Sequence, residues 1–327
     1  MARLILVLLF LLSPAQLLAS DRTTLPNDVA SGFGKSWLKS MPYGFKKHGF
    51  KIVTAPEPVR FGKQAIRFEV RPGDCGNSGD WDDCSNDRER HELSQINSLQ
   101  RHGDTYWYAW SIYIPNDTPL LAPTKVHLGQ FQQRKNNVLW LMSWNRSGYS
   151  IDNQVPGYGR TREMRAVVPS NDMKANTDIK GRWLDILVHV KWSHDTDGFF
   201  RVYANHDLKY DWKGQTIAQK DRSYFKFGIY RSFISRYSNS NNGAKPPKQI
   251  VYYDEVRRGK TLKKVDKVGV AAIQTILAEN NHYSGQIDGL WGPGTLKGVN
   301  EYLKAKGASP VTDYSPDLWS AFGHSEK

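Results

Sequence analysis

Three short stretches concentrate side chains able to hold or move charge: "RHEL" (90–93), "VHLGQFQQ" (126–133) and "YFKFGIY" (224–230). Successive side chains of a strand point to opposite faces. On that alternation Arg90 and Glu92 share a face, as do Gln130 and Gln132. Tyr224, Lys226, Gly228 and Tyr230 form one set, and Phe225, Phe227 and Ile229 form the other. The apolar set suits a core. The phenols, ammonium, guanidinium and carboxamides suit a polar, negatively charged partner. The plain alternative is a solvated sheet face, because Tyr favours strands and exposed Lys is ordinary. His127 has the opposite phase to Gln130 unless Gly129 bulges, since a bulge adds one residue and resets the alternation.

Charge narrows the partner. Lys and Arg number 45 against 32 Asp and Glu, a net +13. Such a chain attracts polyanions: nucleic acid, acidic polysaccharide or anionic cell wall. Residues 4–12, "LILVLLFLL", follow Arg3, and small residues close the stretch near Ser20. A charged start, a short apolar core and a small-residue end read as a secretory signal. The run is too short to span a bilayer comfortably. The expectation is an exported bacterial protein, periplasmic or secreted, with no membrane association once the signal is removed. Export argues against nucleic acid. Cys75 and Cys84 then read as a disulfide. The rival, a metal pair, lacks the adjacent His needed to complete a zinc site. Five Asp between 74 and 87 surround these cysteines. They read as a solvated loop or as an oxygen-rich calcium site. No other cofactor is expected.

The elements that must position these residues are mainly strands. From about residue 50 to 260, alternating segments such as "TYWYAWSIYI", "NVLWLMSW" and "RWLDILVHVKWS" are separated by turn-rich breaks. Many short strands so punctuated predict an antiparallel sandwich or barrel. After Lys264 the period becomes helical. Val270, Ile273, Ile276 and Leu277 share one stripe, and Leu296, Val299 and Leu303 another. Gly307 is placed as a C-cap, Thr295 as an N-cap, and Ser315 as the start of a third short helix. The expected division is a signal over 1–20, a β domain over 21–264 and a helical domain over 265–327.

Taken together and in order, the three stretches resemble the jelly-roll polysaccharide lyases, the group of heparin, alginate and glucuronan lyases. In that family an Arg-x-Glu-Leu strand, a Gln-x-His strand and a Tyr-Phe-Lys-x-Gly-x-Tyr strand line one concave sheet. "GRWLDILVHVKWSHDTDGFFRVYAN" (181–205) is similar to the family's Trp-containing strand and hairpin, so the resemblance covers about residues 60 to 258. It implies a mainly β antiparallel jelly-roll sandwich acting, as a monomer, on a uronic-acid polymer by β-elimination. In that reaction the C5 proton leaves and the glycosidic oxygen departs from C4. The carbanion-like state needs the uronate carboxylate neutralised by prepositioned donors and cations. Gln130, Arg90 and Lys226 are donor and cation types suited to that carboxylate. Glu92 orients Arg90 or a sugar hydroxyl, and Tyr224, Gln132 and Arg231 contact the sugar chain. Tyr230 moves the protons: Lys226 and Arg231, close to it in sequence, would lower its pKa, and the resemblance points to the same residue. Gly228 lets the sugar approach the sheet.

Gln132 stands where the family carries His, and a carboxamide is no base near neutral pH. His127 and His189 are the candidate replacements. His189 also reads as an ordinary sheet histidine, and Asp152 and Gln154 either touch sugar hydroxyls or end a strand. The segment "GQIDGLWGPGTLKGV" (285–299) resembles a peptidoglycan-binding-like module, which implies peptidoglycan or another wall glycan as a second partner; Trp291 reads more simply as core. Two rival functions remain: a non-catalytic carbohydrate-binding protein on the same fold, and a glycoside hydrolase. Hydrolysis needs paired carboxylates, and Glu92 alone stands on the motif face.

Overall fold

The computed structural model describes residues 21–34, 36–135, 138–155, 163–170 and 179–323. The expected signal segment lies outside them. No helix among the described residues is long and apolar enough to cross a membrane. In chain order the first strands are β1 (Arg22–Thr23), β2 (Ala30–Ser31), β3 (Trp37–Lys39), β4 (Phe50–Val53), β5 (Ala65–Val70) and β6 (Arg88–Ser94). There follow β7 (Thr105–Tyr113), β8 (Lys125–Gln133), β9 (Val138–Asn145), β10 (Gly148–Asn153) and β11 (Glu163–Pro169). The last are β12 (Trp183–Lys191), β13 (Phe199–Ala204), β14 (Asp207–Lys213), β15 (Ser223–Ser232) and β16 (Gln249–Gly259). A short helix, α1 (Ser235–Ser240), follows β15, and α2 (Lys267–Glu279), α3 (Pro293–Ala305) and α4 (Leu318–Ala321) form the C-terminal segment.

The strands make two sheets. One runs β1-β3-β6-β15-β8-β9-β10-β11; the other runs β14-β13-β12-β7-β16-β5-β4, with β2 pairing in parallel to β16. Every other pairing between these strands is antiparallel among the described residues. The expected antiparallel jelly-roll sandwich is thus what the chain forms. The core lies between the sheets, and alternation decides who enters it. From β15 come Phe225, Phe227 and Ile229, from β7 Tyr108, Trp110 and Ile112, and from β12 Ile186, Val188 and Val190, all essentially buried. Phe225 sits 5.1 Å from Trp110 and 5.1 Å from Phe131, ring centre to ring centre.

The second sheet also buries its outward face. Trp107, Ala109, Leu187 and Tyr203 form one apolar cluster with Val270, Ile273, Leu277, Val299, Leu303 and Trp319 of the helical segment. Asp266 caps α2 by accepting from the Gly269 amide at 2.9 Å. It also binds His206 at the end of the β13–β14 turn, 3.1 Å away. The C-terminal segment is therefore packed as a layer on the outward face of the second sheet. Pro293 opens α3 behind Gly292, which corrects Thr295 from N-cap to an interior residue bonded to the Leu290 carbonyl. Gly307 has φ +71° just past the end of α3, where an L side chain is strained.

Candidate active site

The outward face of the first sheet holds a cleft of about 850 Å³. Adjacent strands β6, β15 and β8 supply its floor: Arg88 and Arg90, then Tyr224, Lys226 and Tyr230, then His127, Gln130 and Gln132. Among the described lining residues, Arg22, Lys39, Arg88, Arg90, Lys125 and Lys226 face Asp21 as the single carboxylate. Low-dielectric walls lined by one sign of charge concentrate ions of the other sign.

Beneath the floor, Glu92 is the hub of a buried network. It accepts from Gln130 Nε2 at 2.6 Å and Arg90 Nη1 at 3.2 Å, and Lys226 Nζ lies 3.2 Å away. Burial pushes Glu92 up, but Lys226, Arg90 and Gln130 outweigh it and hold the carboxyl below its ordinary value. Lys226 is lowered, chiefly by burial, although Glu92 opposes. Arg90 makes two further bonds of 2.6 Å to Asp83, which is fully buried. Its guanidinium carbon sits 3.9 Å from the centre of the Tyr230 ring.

Tyr230 has different neighbours from those expected. Arg88 Nε donates to its hydroxyl at 2.9 Å. Burial raises the phenol above its ordinary pKa; Arg90 and Arg88 pull it down without winning. The lowering expected from Lys226 and Arg231 is therefore not found. Arg231 has the core phase. It is fully buried, paired with Glu89 at 3.0 Å and bonded to the Val70 and Pro247 carbonyls, so it does not reach the cleft. Arg88 has the phase Arg231 lacks. Extending the "RHEL" alternation two residues upstream, to "RERHEL", is the signal that finds it.

The strand that carries Tyr230 and its neighbour β8 are both irregular. Between the pairs Lys226↔Gln130 and Tyr230↔His127, β15 carries one residue more than β8. In β8 the register against β9 shifts between His127 and Gly129. This bulge gives His127 the same face as Gln130 despite their odd spacing. His127 lies 5.2 Å from Tyr230, ring centre to ring centre, with Ser143 Oγ 2.7 Å from Nδ1 and Ser232 Oγ 3.1 Å from Nε2. The carbonyls freed by the irregularity are met from the core side: Tyr253 Oη lies 2.6 Å from Leu128 O and 2.8 Å from Gly228 O. Gly228 has φ +136°, and a Cβ there would come within 2.3 Å of the His91 carbonyl. The glycine thus serves strand-to-strand approach of β15 to β6, not approach of a sugar.

Tyr224 and Gln132 line the cleft, and burial raises Tyr224 well above its ordinary pKa. Gln154 also lines it, reaching Asp152 at 3.3 Å. His189 does not belong to the site. It sits on the outward face of the second sheet, stacked 4.0 Å from Trp107, and burial with nearby Arg201 lowers it to about 4. Cys75 and Cys84 are bonded, with α-carbons 5.1 Å apart.

The acidic loop does not gather its carboxylates. Asp74 binds His48, Asp82 caps the Cys84 amide, Asp83 holds Arg90, and Asp87 binds Ser235. Among the described residues His48, Asp74 and His91 bring metal-type ligand atoms within 4.8 Å of one another. The His91 ring is already engaged at both nitrogens, by the Glu69 carbonyl at 2.6 Å and the Lys46 amide at 3.2 Å. It fits a structural histidine better than a ligand.

A two-sheet antiparallel sandwich with a cationic, tyrosine-bearing cleft on one sheet is a jelly roll equipped to hold an anionic ligand. The polysaccharide lyase family profile matches residues 37–257, well over half of the chain, and the chain belongs to that family. Among solved structures it is similar to an endo-β-1,4-glucuronan lyase from the fungus Trichoderma reesei. The identity is 17%, the TM-score 0.51, and the match covers 69% of this chain and 93% of that one. It is also similar to an alginate lyase of polysaccharide lyase family 7, at 15% identity and TM-score 0.44, covering 72% and 98%. Identities this low establish the fold alone. A search of curated proteins finds no match to the sequence.

Proposed function

We propose that the protein is an exported lyase that cleaves a uronic-acid polysaccharide by β-elimination, with Tyr230 as the proton-transfer residue. One observation supports this most: a phenol hydroxyl held by Arg88 above the Arg90 guanidinium, in a cleft whose described lining is strongly cationic. A uronate carboxylate bound among Arg88, Arg90 and Lys226 loses the charge that makes its C5 proton hard to remove. Gln130 spends one N–H on Glu92, which leaves the other for the carboxylate. Glu92 fixes Arg90, Lys226 and Gln130, so its role is to preorganise the donors. The base form of Tyr230 takes the C5 proton, and the resulting phenol returns one to O4.

A single residue performing both transfers needs the C5 hydrogen and the C4 oxygen on one face of the ring. Glucuronate and mannuronate have that relation; guluronate, iduronate and galacturonate do not. Gln132, standing where a histidine base would serve the other face, fits the same restriction. The test is a panel of these polymers, read by the ultraviolet absorbance of the unsaturated product. Cleavage of polyglucuronate or polymannuronate is expected, with polygalacturonate and polyguluronate resistant. Binding to all of them with no unsaturated product from any would mean a carbohydrate-binding protein instead. Hydrolysis is the weaker reading, since Glu92 is consumed by three partners.

A further inference from the structure

The disulfide loop carries a large exposed ring to the rim of the cleft. Trp81 keeps 42% of its surface exposed and lines the cleft beside Pro42 and Ser78. An exposed indole leaves much apolar area in water, which folding alone does not favour. This ring is nonetheless fixed. Its Nε1 donates to Asp83 Oδ1 at 2.8 Å, and its carbonyl accepts from the Ser78 amide at 3.0 Å. Asp83 is the same buried carboxylate that grips Arg90, whose guanidinium underlies Tyr230. The Asp83 amide donates to the Gly76 carbonyl at 2.9 Å, and the Cys75–Cys84 bond closes the loop. A continuous set of contacts therefore runs from the exposed ring to the proposed proton-transfer residue, too short and too buried to let the ring drift relative to it.

We propose that Trp81 is a sugar-stacking platform, holding the apolar face of the pyranose ring next along the polymer from the reacting uronate. The proposal rests on the polysaccharide reading above and deepens it. Cations bind a polyanion strongly but in many registers, and salt screens them. A flat aromatic surface selects the face of one ring and is insensitive to salt. The geometry fits the division of labour: Arg88, Arg90 and Lys226 hold the charge, and Trp81 sets which ring stands over Tyr230. The carboxylates of the loop serve its shape, Asp83 above all.

The experiment uses Tyr230→Phe protein, which keeps the ring and turns substrate over too slowly to deplete it during a titration, titrated calorimetrically with glucuronate and mannuronate oligosaccharides of increasing length. Adding Trp81→Ala is expected to weaken binding of the longer oligosaccharides about tenfold, the size of a good aromatic contact, and to leave the shortest unaffected. Trp81→Phe should retain most of the affinity. In otherwise native protein Trp81→Ala should raise KM with kcat nearly unchanged, and its two cysteines should remain inaccessible to thiol reagents. Equal affinities for Trp81 and Trp81→Ala proteins at every length would overturn the platform and leave the lyase reading standing. So would Trp81→Phe binding as weakly as Trp81→Ala, because the tether to Asp83 and not the ring would then matter. If the Tyr230→Phe protein binds no oligosaccharide and the native protein cleaves none, the underlying polysaccharide reading fails with it.

Discussion

The two sheets turn opposite kinds of surface outward. The first presents Arg88, Arg90, Lys226 and Tyr230 across an open cleft. The second presents Trp107, Ala109, Leu187 and Tyr203, and covers them with α2, α3 and α4. Both faces contain aromatic and titratable side chains at strand spacing. The difference lies in what sits under the polar groups. On the first sheet Glu92 and Asp83 hold cations in place while leaving them facing the cleft. On the second, His189 lies flat on Trp107 and its burial discourages charge. A titratable residue on an outward phase becomes a candidate for chemistry only when buried partners aim it at open space.

The sharpest way to break this contrast is to remove one group from each face. Tyr230→Phe deletes only a hydroxyl and is expected to lower kcat on the cleaved polymer by about 10²- to 10⁴-fold, the usual loss for a general acid–base. Oligosaccharide binding should survive. His189→Gln should leave kcat/KM within a factor of about two, because the residue is on the far sheet. The pH profile adds a second reading. The base form of a phenol raised above its ordinary value is scarce at neutrality, so kcat/KM should climb tenfold per pH unit from neutral into the alkaline range. A plateau near pH 7 would transfer the base role to His127.

The second contrast is in stability. Leu277 is completely buried between the helical layer and the sheet. Leu277→Ala should cost about 2–5 kcal/mol, measured by denaturant unfolding, through lost transfer energy and a cavity. The same variant should turn over short oligosaccharides at the parental rate at low temperature, since its cluster does not include the cleft floor. A proportionate loss of kcat would show that the two faces are energetically one.

How far the sequence reaches follows from what alternation encodes. The period of two separates Phe225, Phe227 and Ile229 from Tyr224, Lys226 and Tyr230 correctly, because the core selects strongly for one phase. It also sorts Arg231 inward and His189 outward. Proximity in sequence to Tyr230 points Arg231 to the cleft, but its phase places it in the core, and phase is the better guide. What alternation does not encode is which outward face stays open. The apolar residues Trp107, Leu187 and Tyr203 mark a covered face, but the cover lies over sixty residues of chain later. Nor does it encode bulges: His127 reaches the cleft only through a register shift whose visible trace is Gly129. Trp81 sits in a loop without period, where only the tertiary bond to Asp83 makes it interpretable.

Those bulges supply a further prediction. Tyr253, from the second sheet, crosses the core to the Leu128 and Gly228 carbonyls. Tyr253→Phe removes the single hydroxyl proton that the two carbonyls share in an apolar setting, at a cost of about 1–3 kcal/mol. The bulges flank His127 and Tyr230, so turnover should fall more than stability explains, with kcat dropping while oligosaccharide affinity holds. Full parental kcat at a reduced Tm would show that the bulges are held by strand pairing alone.

The smallest expected effect concerns the junction of the covering layer. His206 and Asp266 face each other 3.1 Å apart, with Trp319 4.5 Å from the imidazole and the Tyr314 hydroxyl 2.5 Å from Asp266. Burial lowers His206, but Asp266, with a smaller contribution from Asp185, outweighs it and raises the imidazole above 6.5; Arg60 opposes. Burial likewise raises Asp266, and His206 and its hydrogen bonds more than reverse this, holding it below 3.8. A histidine raised on folding contributes fully below its unfolded pKa, and the contribution is lost as pH rises through the raised value. A depressed aspartate contributes above its unfolded pKa and loses the contribution as pH falls. The junction should be tightest between about pH 4 and 6.5. Hydrogen exchange in α2 should therefore quicken from pH 6 to 9 beyond the intrinsic base-catalysed increase, while exchange in β15 keeps its protection. His206→Asn should abolish this excess and start from a less protected α2 at pH 6. An unchanged excess in that variant would place the pH sensitivity of the layer elsewhere.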